Sequence, residues 1–121
     1  TGSYVVNLKD NKENQKINKT EKFEIFNGGT GFMLIKRDVF TKLDKKCPRY
    51  KHTMNDINDP SNVGAIMTEF WGTSIDPDTN ALLSEDYHFC KLARDNGIKV
   101  WAAPYARLTH TGTYQFSGRL M

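Results

Sequence analysis

Apolar and polar positions alternate in short blocks along this chain, and each block predicts a short element. Tyr4-Val5-Val6-Asn7-Leu8 and Phe23-Glu24-Ile25-Phe26 are β-type runs, rich in the aromatic and β-branched residues that suit a pleated, half-buried surface. A polar loop, residues 9–22, separates them and predicts a hairpin with a long connection. Gly28-Gly29-Thr30-Gly31 then makes a turn that feeds Phe32-Met33-Leu34-Ile35. That unbroken apolar run predicts a strand buried on both faces.

Arg37 to Lys46 reads as a short helix, with Val39, Phe40 and Leu43 on one face, lysines in the last turn and Pro48 as a stop. Residues 49–64 show no periodicity and read as a polar loop. Between Thr68 and Asn80, Phe70-Trp71 is bulky and apolar while Asp76-Pro77-Asp78-Thr79-Asn80 is turn chemistry, so a loop around a short helix is expected. The clearest helix comes next. Ser84 suits the N-cap, Glu85 and Asp86 fall where the helix dipole favours negative charge, Phe89, Cys90 and Ala93 mark a buried face, and Gly97 suits C′. Ile98-Lys99-Val100-Trp101 is a returning strand ended by Pro104, and residues 107–111 form a further extended segment.

Composition narrows the class without naming it. A chain of 121 residues is one domain or part of one, and is short for an enzyme that must hold two substrates. No apolar run approaches the roughly 20 residues of a membrane span. The net charge of +3 comes largely from Lys9 to Lys22, a stretch that also carries Asp10, Glu13 and Glu21. It is mixed in sign, not the basic stripe a nucleic acid requires, so no nucleic-acid partner is expected. Cys47 and Cys90 lie far apart without a CxxC pattern, which argues against a structural disulfide and for a reducing, cytoplasmic setting. The opening Thr1-Gly2-Ser3 suggests an excised or processed piece, and Asn18-Lys19-Thr20 matches a glycosylation sequon that also arises by chance.

Chemistry concentrates at Glu85, Asp86 and His110, which could converge on one metal or substrate. Glu85 and Asp86 stand about 100° apart around a helix, so they cannot both point the same way. They could simply complement the helix N-terminus. A dipole that stabilises a carboxylate also lowers its pKa, whereas a general base works best near the operating pH. His110 lies in Thr109-His110-Thr111-Gly112, too polar to be a core element, while His88 should turn away from Asp86. Neither histidine makes a HExxH motif, so a stand-alone zinc hydrolase is poorly supported. Gly28 to Gly31 match neither the P-loop nor the GxGxxG pattern, leaving a tight turn, a close backbone approach to a ligand, or both. Phe70 and Trp71 could stack on a sugar face or belong to the core.

Taken together, Gly29-Thr30-Gly31-Phe32-Met33-Leu34-Ile35-Lys36-Arg37, Leu83-Ser84-Glu85-Asp86-Tyr87-His88-Phe89-Cys90, Val100-Trp101 and Leu108-Thr109-His110-Thr111-Gly112-Thr113-Tyr114 resemble part of a known family. In order and spacing they resemble the C-terminal half of a nucleotide-sugar glycosyltransferase of the GT-A fold, over roughly residues 23 to 118. The resemblance implies an α/β fold, a mixed sheet with flanking helices, in which residues 1–121 form a single partial domain. It implies Gly28, Gly29, Thr30 and Gly31 as the glycine loop of the donor and acceptor site, with Trp71 available to a sugar. It further implies Asp86 as the acceptor-side base with Glu85 beside it, and His110 as a ligand to a divalent cation. Imidazole favours Mn²⁺ over Mg²⁺.

One departure matters. The family holds its metal and the donor diphosphate with an Asp-x-Asp motif upstream of the glycine loop, and nothing before Gly28 fits; Asp76-Pro77-Asp78 sits downstream in a turn. The expected parent is therefore a metal-dependent hexosyltransferase that moves a sugar from a nucleotide-sugar donor to an acceptor hydroxyl, with inversion. This chain would be its acceptor-side half, inactive alone and prone to self-associate through an uncovered sheet edge. The alternatives are a non-catalytic module binding carbohydrate or protein through Phe70, Trp71, Tyr105 and Tyr114, and a small metal-dependent hydrolase using Glu85, Asp86 and His110.

Overall fold

The computed structural model of the chain describes residues 6–9, 17–53, 60–113 and 115–119. Strands β1 (Val6–Leu8) and β2 (Phe23–Gly28) come first, then helix α1 (Arg37–Leu43) and strands β3 (Arg49–Lys51), β4 (Ile66–Thr68), β5 (Ser74–Ile75) and β6 (Leu82–Leu83). Helix α2 (Glu85–Asp95) and strands β7 (Val100–Ala102), β8 (Arg107–Thr111) and β9 (Gln115–Arg119) complete the order. The chain is thus mixed α/β, with small antiparallel sheets and two α-helices among the described residues. No helix is long and apolar enough to cross a membrane.

The largest sheet has the order β1-β2-β7, and both ladders are antiparallel. Opposed residues share a face. Ile25 pairs with Val100 and Phe23 with Ala102 on one face, while Glu24 pairs with Trp101 on the other. The first face carries Ile25 and Ala102, 4% and 5% exposed, and α2 packs against β2 through Phe89, Cys90 and Ala93. The second face is solvated: Lys22 and Lys99 lie over the Trp101 ring, and Glu24 meets Lys9 at 3.1 Å and Lys99 at 3.9 Å.

An aromatic cluster closes the core. Phe40 of α1 meets Phe70 edge-on at 5.2 Å and Phe89 at 5.9 Å, and Trp71 stacks on Phe89 at 4.2 Å. Leu43, the last residue of α1, is fully buried. Helix α2 ends as its sequence requires: Gly97, at φ 75°, donates to Arg94 O and Ile98 donates to Ala93 O, the paired bonds of a Schellman motif.

Several expectations change. The segment Phe32-Met33-Leu34-Ile35 is not a buried strand: a 3-10 turn occupies Thr30–Phe32, and Leu34 is 96% exposed. A doubly buried strand needs neighbours on both edges, and no described strand pairs with it. Residues 49–64 hold β3, which pairs with β4, together with a 3-10 turn at Pro60–Asn62. No helix forms between Thr68 and Asn80; β5 pairs with β6 instead, around the expected turn at Asp76 to Asn80. All described ladders are antiparallel, without the parallel pairs of a mixed sheet. Residues Tyr4, Val5, Asp10, Glu13 and Tyr114, on which expectations were also placed, lie outside the described residues.

Candidate functional site

Asp86 stands in the first turn of α2, on the side that turns toward the glycine loop. Its carboxylate is held by several donors. The Ser84 hydroxyl donates to Oδ1 at 2.6 Å and the Tyr87 backbone N–H donates to the same oxygen at 3.0 Å. The Thr30 backbone N–H, from the glycine loop, is a further donor to the carboxylate. On the loop side, Oδ2 lies 3.6 Å from the place a Cβ on Gly29 would occupy.

Packing behind the carboxylate fixes this approach. Gly28 is buried at the end of β2, where an added Cβ would stand 3.1 Å from Ile25 Cδ1. Its carbonyl accepts from the Cys90 thiol at 3.7 Å, one turn of α2 beyond Asp86. The loop and the helix N-terminus therefore meet because β2 and α2 pack on each other, and the two separated sequence motifs form one site.

The Ser84 hydrogen bond is the main cause holding the Asp86 pKa below the ordinary carboxylate value. Burial pushes it upward, and the Tyr87 and Thr30 N–H groups add to the lowering. Asp86 is thus an ionised acceptor at neutral pH. Ser84 occupies the N-cap position but makes no side-chain cap bond; its hydroxyl serves Asp86, whose carboxylate satisfies the Tyr87 N–H instead. The Ser-x-Asp spacing was the available sign of that pairing, and the composition of the helix start gave no reason to choose it over a cap.

The other candidates are placed differently. Glu85 is exposed on a neighbouring side of α2. Trp71 is 37% exposed, with one ring face against Phe89, so it belongs to the core wall while keeping an open edge. His88 turns away from Asp86, as expected, and its Nδ1 meets Ser74 Oγ of β5 at 2.8 Å. His110 is exposed on β8, opposite Phe116 of β9. An open groove along that hairpin is lined by Arg107, Leu108, Thr109, Ser117 and Gly118, none of which bonds Asp86.

Among the described residues no three His, Cys, Asp or Glu side chains gather as a metal-ion site, so Glu85, Asp86 and His110 do not form one together. His110 and Asp86 stand on separate elements, a strand of the β8–β9 hairpin and the start of α2. In comparison with known proteins, no family model, no curated protein and no solved structure matches this chain. The site consists of an ionised carboxylate, cradled by backbone N–H groups and a hydroxyl, beside a glycine loop that admits close approach.

Proposed function

We propose that this chain is the acceptor-side half of a GT-A nucleotide-sugar glycosyltransferase, with Asp86 as the base that faces the acceptor hydroxyl. The observation that carries the reading is the junction of Thr30 and Gly29 with Asp86. Two motifs that resemble the family's glycine loop and acceptor-side carboxylate lie more than fifty residues apart in sequence, and they meet at one carboxylate.

In this reading Asp86 accepts the proton of the attacking hydroxyl as the bond to the sugar carbon forms and the nucleoside diphosphate leaves. Its low pKa keeps it ionised and ready; the electron pair of the broken sugar–oxygen bond leaves on the diphosphate, and the protonated carboxyl then gives its proton to solvent. Gly29 and Gly31 would let a sugar approach the loop backbone closely, while Gly28 is taken up by packing on Ile25. The exposed edge of Trp71 is available to a sugar face. A divalent cation, Mn²⁺ before Mg²⁺, would neutralise charge on the leaving diphosphate, and His110 is the residue of this chain that would contribute to holding it. The described residues do not make up a metal centre, so the remaining ligands and the donor pocket would come from elsewhere.

The test uses a protein that contains this chain together with a donor-binding half. Sugar nucleotides are screened with Mn²⁺ for donor hydrolysis and transfer, and Asp86→Asn is compared with wild type. The expected result is a loss of transfer of about 10²–10⁴-fold with nucleotide binding near normal. Retained transfer ends the role of Asp86, and carbohydrate binding without turnover by any donor supports a non-catalytic module instead.

A further inference from the structure

We propose that His88 and Ser74 are positioning residues for Asp86, their hydrogen bond clamping the β5–β6 hairpin onto α2 and so fixing Ser84 against the carboxylate. The catalytic meaning of this clamp rests on the glycosyl-transfer reading; the geometry stands without it.

The hairpin needs a fastening. Its ladder has two pairs, Ser74 with Leu83 and Ile75 with Leu82, and a lone two-stranded hairpin is marginal in water. Its turn is well formed, since Asp76 donates to Ala81 O and Asn80 donates to Asp76 O, but a turn fixes the hairpin to itself and not to the helix. The pleat then divides its side chains. Ile75 and Leu82 are 64% and 74% exposed on one face, so they contribute little burial, while Leu83 is 8% exposed on the other.

The remaining anchor is polar. His88 Nδ1 and Ser74 Oγ, 2.8 Å apart and partly buried, join the fourth residue of α2 to the strand position opposite Leu83. Leu83 is followed directly by Ser84, whose hydroxyl lies 2.6 Å from Asp86 Oδ1 and whose carbonyl accepts the His88 N–H at 2.7 Å. His88 is thus tied to Ser84 by its backbone and, through Ser74 and the strand pair, by its ring. About 200° of helix rotation separates it from Asp86, so it acts from behind the carboxylate without touching it.

The experiment reads Asp86 directly and needs no turnover. Its side-chain carboxyl titration is followed by carbon-detected NMR in the 121-residue chain and in Ser84→Ala, Ser74→Ala, His88→Ala, His88→Asn and the double variant Ser74→Ala/His88→Ala. Ser84→Ala should raise the midpoint toward the ordinary carboxylate value. Ser74→Ala and His88→Ala should each raise it in the same direction by about half as much or more, and the double variant no further than a single one, because one shared bond is lost. His88→Asn, whose amide reaches where Nδ1 does, should restore the wild-type midpoint. Ser74→Ala removes a single oxygen, so it keeps the test open if His88→Ala unfolds. A wild-type midpoint in Ser74→Ala beside a raised one in Ser84→Ala overturns the proposal, as does no shift in Ser84→Ala. Failure of sugar transfer by Asp86→Asn to fall would leave these titrations untouched, so the two readings fail separately.

Discussion

The Asp86 carboxylate rests against the backbone of Gly29, with Oδ2 3.6 Å from the place a Cβ there would take. Gly29 has φ −71° and ψ 150°, extended backbone that any residue adopts, so its lack of a side chain serves space and not conformation. Gly29→Ala should fold with wild-type stability in urea, since 3.6 Å is an ordinary van der Waals contact. Gly29→Val adds two methyl groups beside the carboxylate. Displacement of a reacting group by about 1 Å can reduce a rate roughly 10²-fold, so, if the proposed glycosyl transfer holds, a protein joining this chain to a donor-binding half should lose about that much transfer at near-native stability. Equal activity in both variants would mean that the loop does not border the reacting atoms.

The Ser84 hydroxyl gives the site its pH signature. Because the folded pKa of Asp86 is depressed, the stabilisation from its hydrogen bonds is present above the ordinary carboxylate value and is lost as pH falls through the depressed one. If Asp86 is the base of the proposed transfer, the reaction should likewise persist in acid until pH falls below about 3.9, the unperturbed aspartate value. Ser84→Ala removes the largest lowering cause, so the acidic limb of kcat/KM should move to higher pH while the alkaline limb stays in place. An unmoved acidic limb would show that a group other than Asp86 sets it.

Helix α2 was legible because its burial has the period of the helix: Phe89, Cys90 and Ala93 return to one side, and Ser84 and Gly97 bracket them. The turn at Asp76 to Asn80 was legible for a chemical reason, since the Asp76 side chain accepts the Asp78 N–H at 3.0 Å. Strands β3 and β4 were not. Arg49, Tyr50 and Lys51 are all exposed, so no face is buried and alternation has nothing to record. What holds that hairpin to the end of α1 is Asp44, which accepts from Thr68 Oγ1 at 2.6 Å and from Arg49, contacts between residues that no local pattern links. The apolar run at Phe32 to Ile35 misled in the opposite direction, because hydrophobicity alone does not supply a partner strand. At the site, the residue types were readable, but the meeting of Thr30 with Asp86 depends on β2 packing against α2.

Phe89 joins the site to the aromatic core. It is 3% exposed and touches both Phe40 and Trp71. Phe89→Ala should cost about 3–5 kcal/mol, from lost transfer energy and the cavity left behind, out of a total of about 5–15 kcal/mol for a domain. Trp71→Ala removes a ring that is already 37% exposed and should cost less. Urea unfolding of the two variants checks the order. If Trp71→Ala proves the more damaging, the indole and not Phe89 is the centre of the cluster.

Cys90 can report whether the junction of helix and glycine loop opens. Its side chain is fully buried, its thiol donates to Gly28 O, and burial pushes its pKa up, so in the folded chain it is a poor nucleophile. Cys47 is half-buried; burial raises its pKa as well, with the Asp44 and Glu69 charges adding. A disulfide reagent at neutral pH should therefore modify Cys47 first, at a rate that rises with pH, and reach Cys90 only when α2 lifts from β2. Because the same packing brings Thr30 to Asp86, an acceptor that binds at that carboxylate, as the proposed function requires, should slow Cys90 labelling and leave Cys47 labelling unchanged. Immediate modification of Cys90 in the native chain, read by mass spectrometry of its peptide, would mean that the helix and the loop are not held together as the site requires.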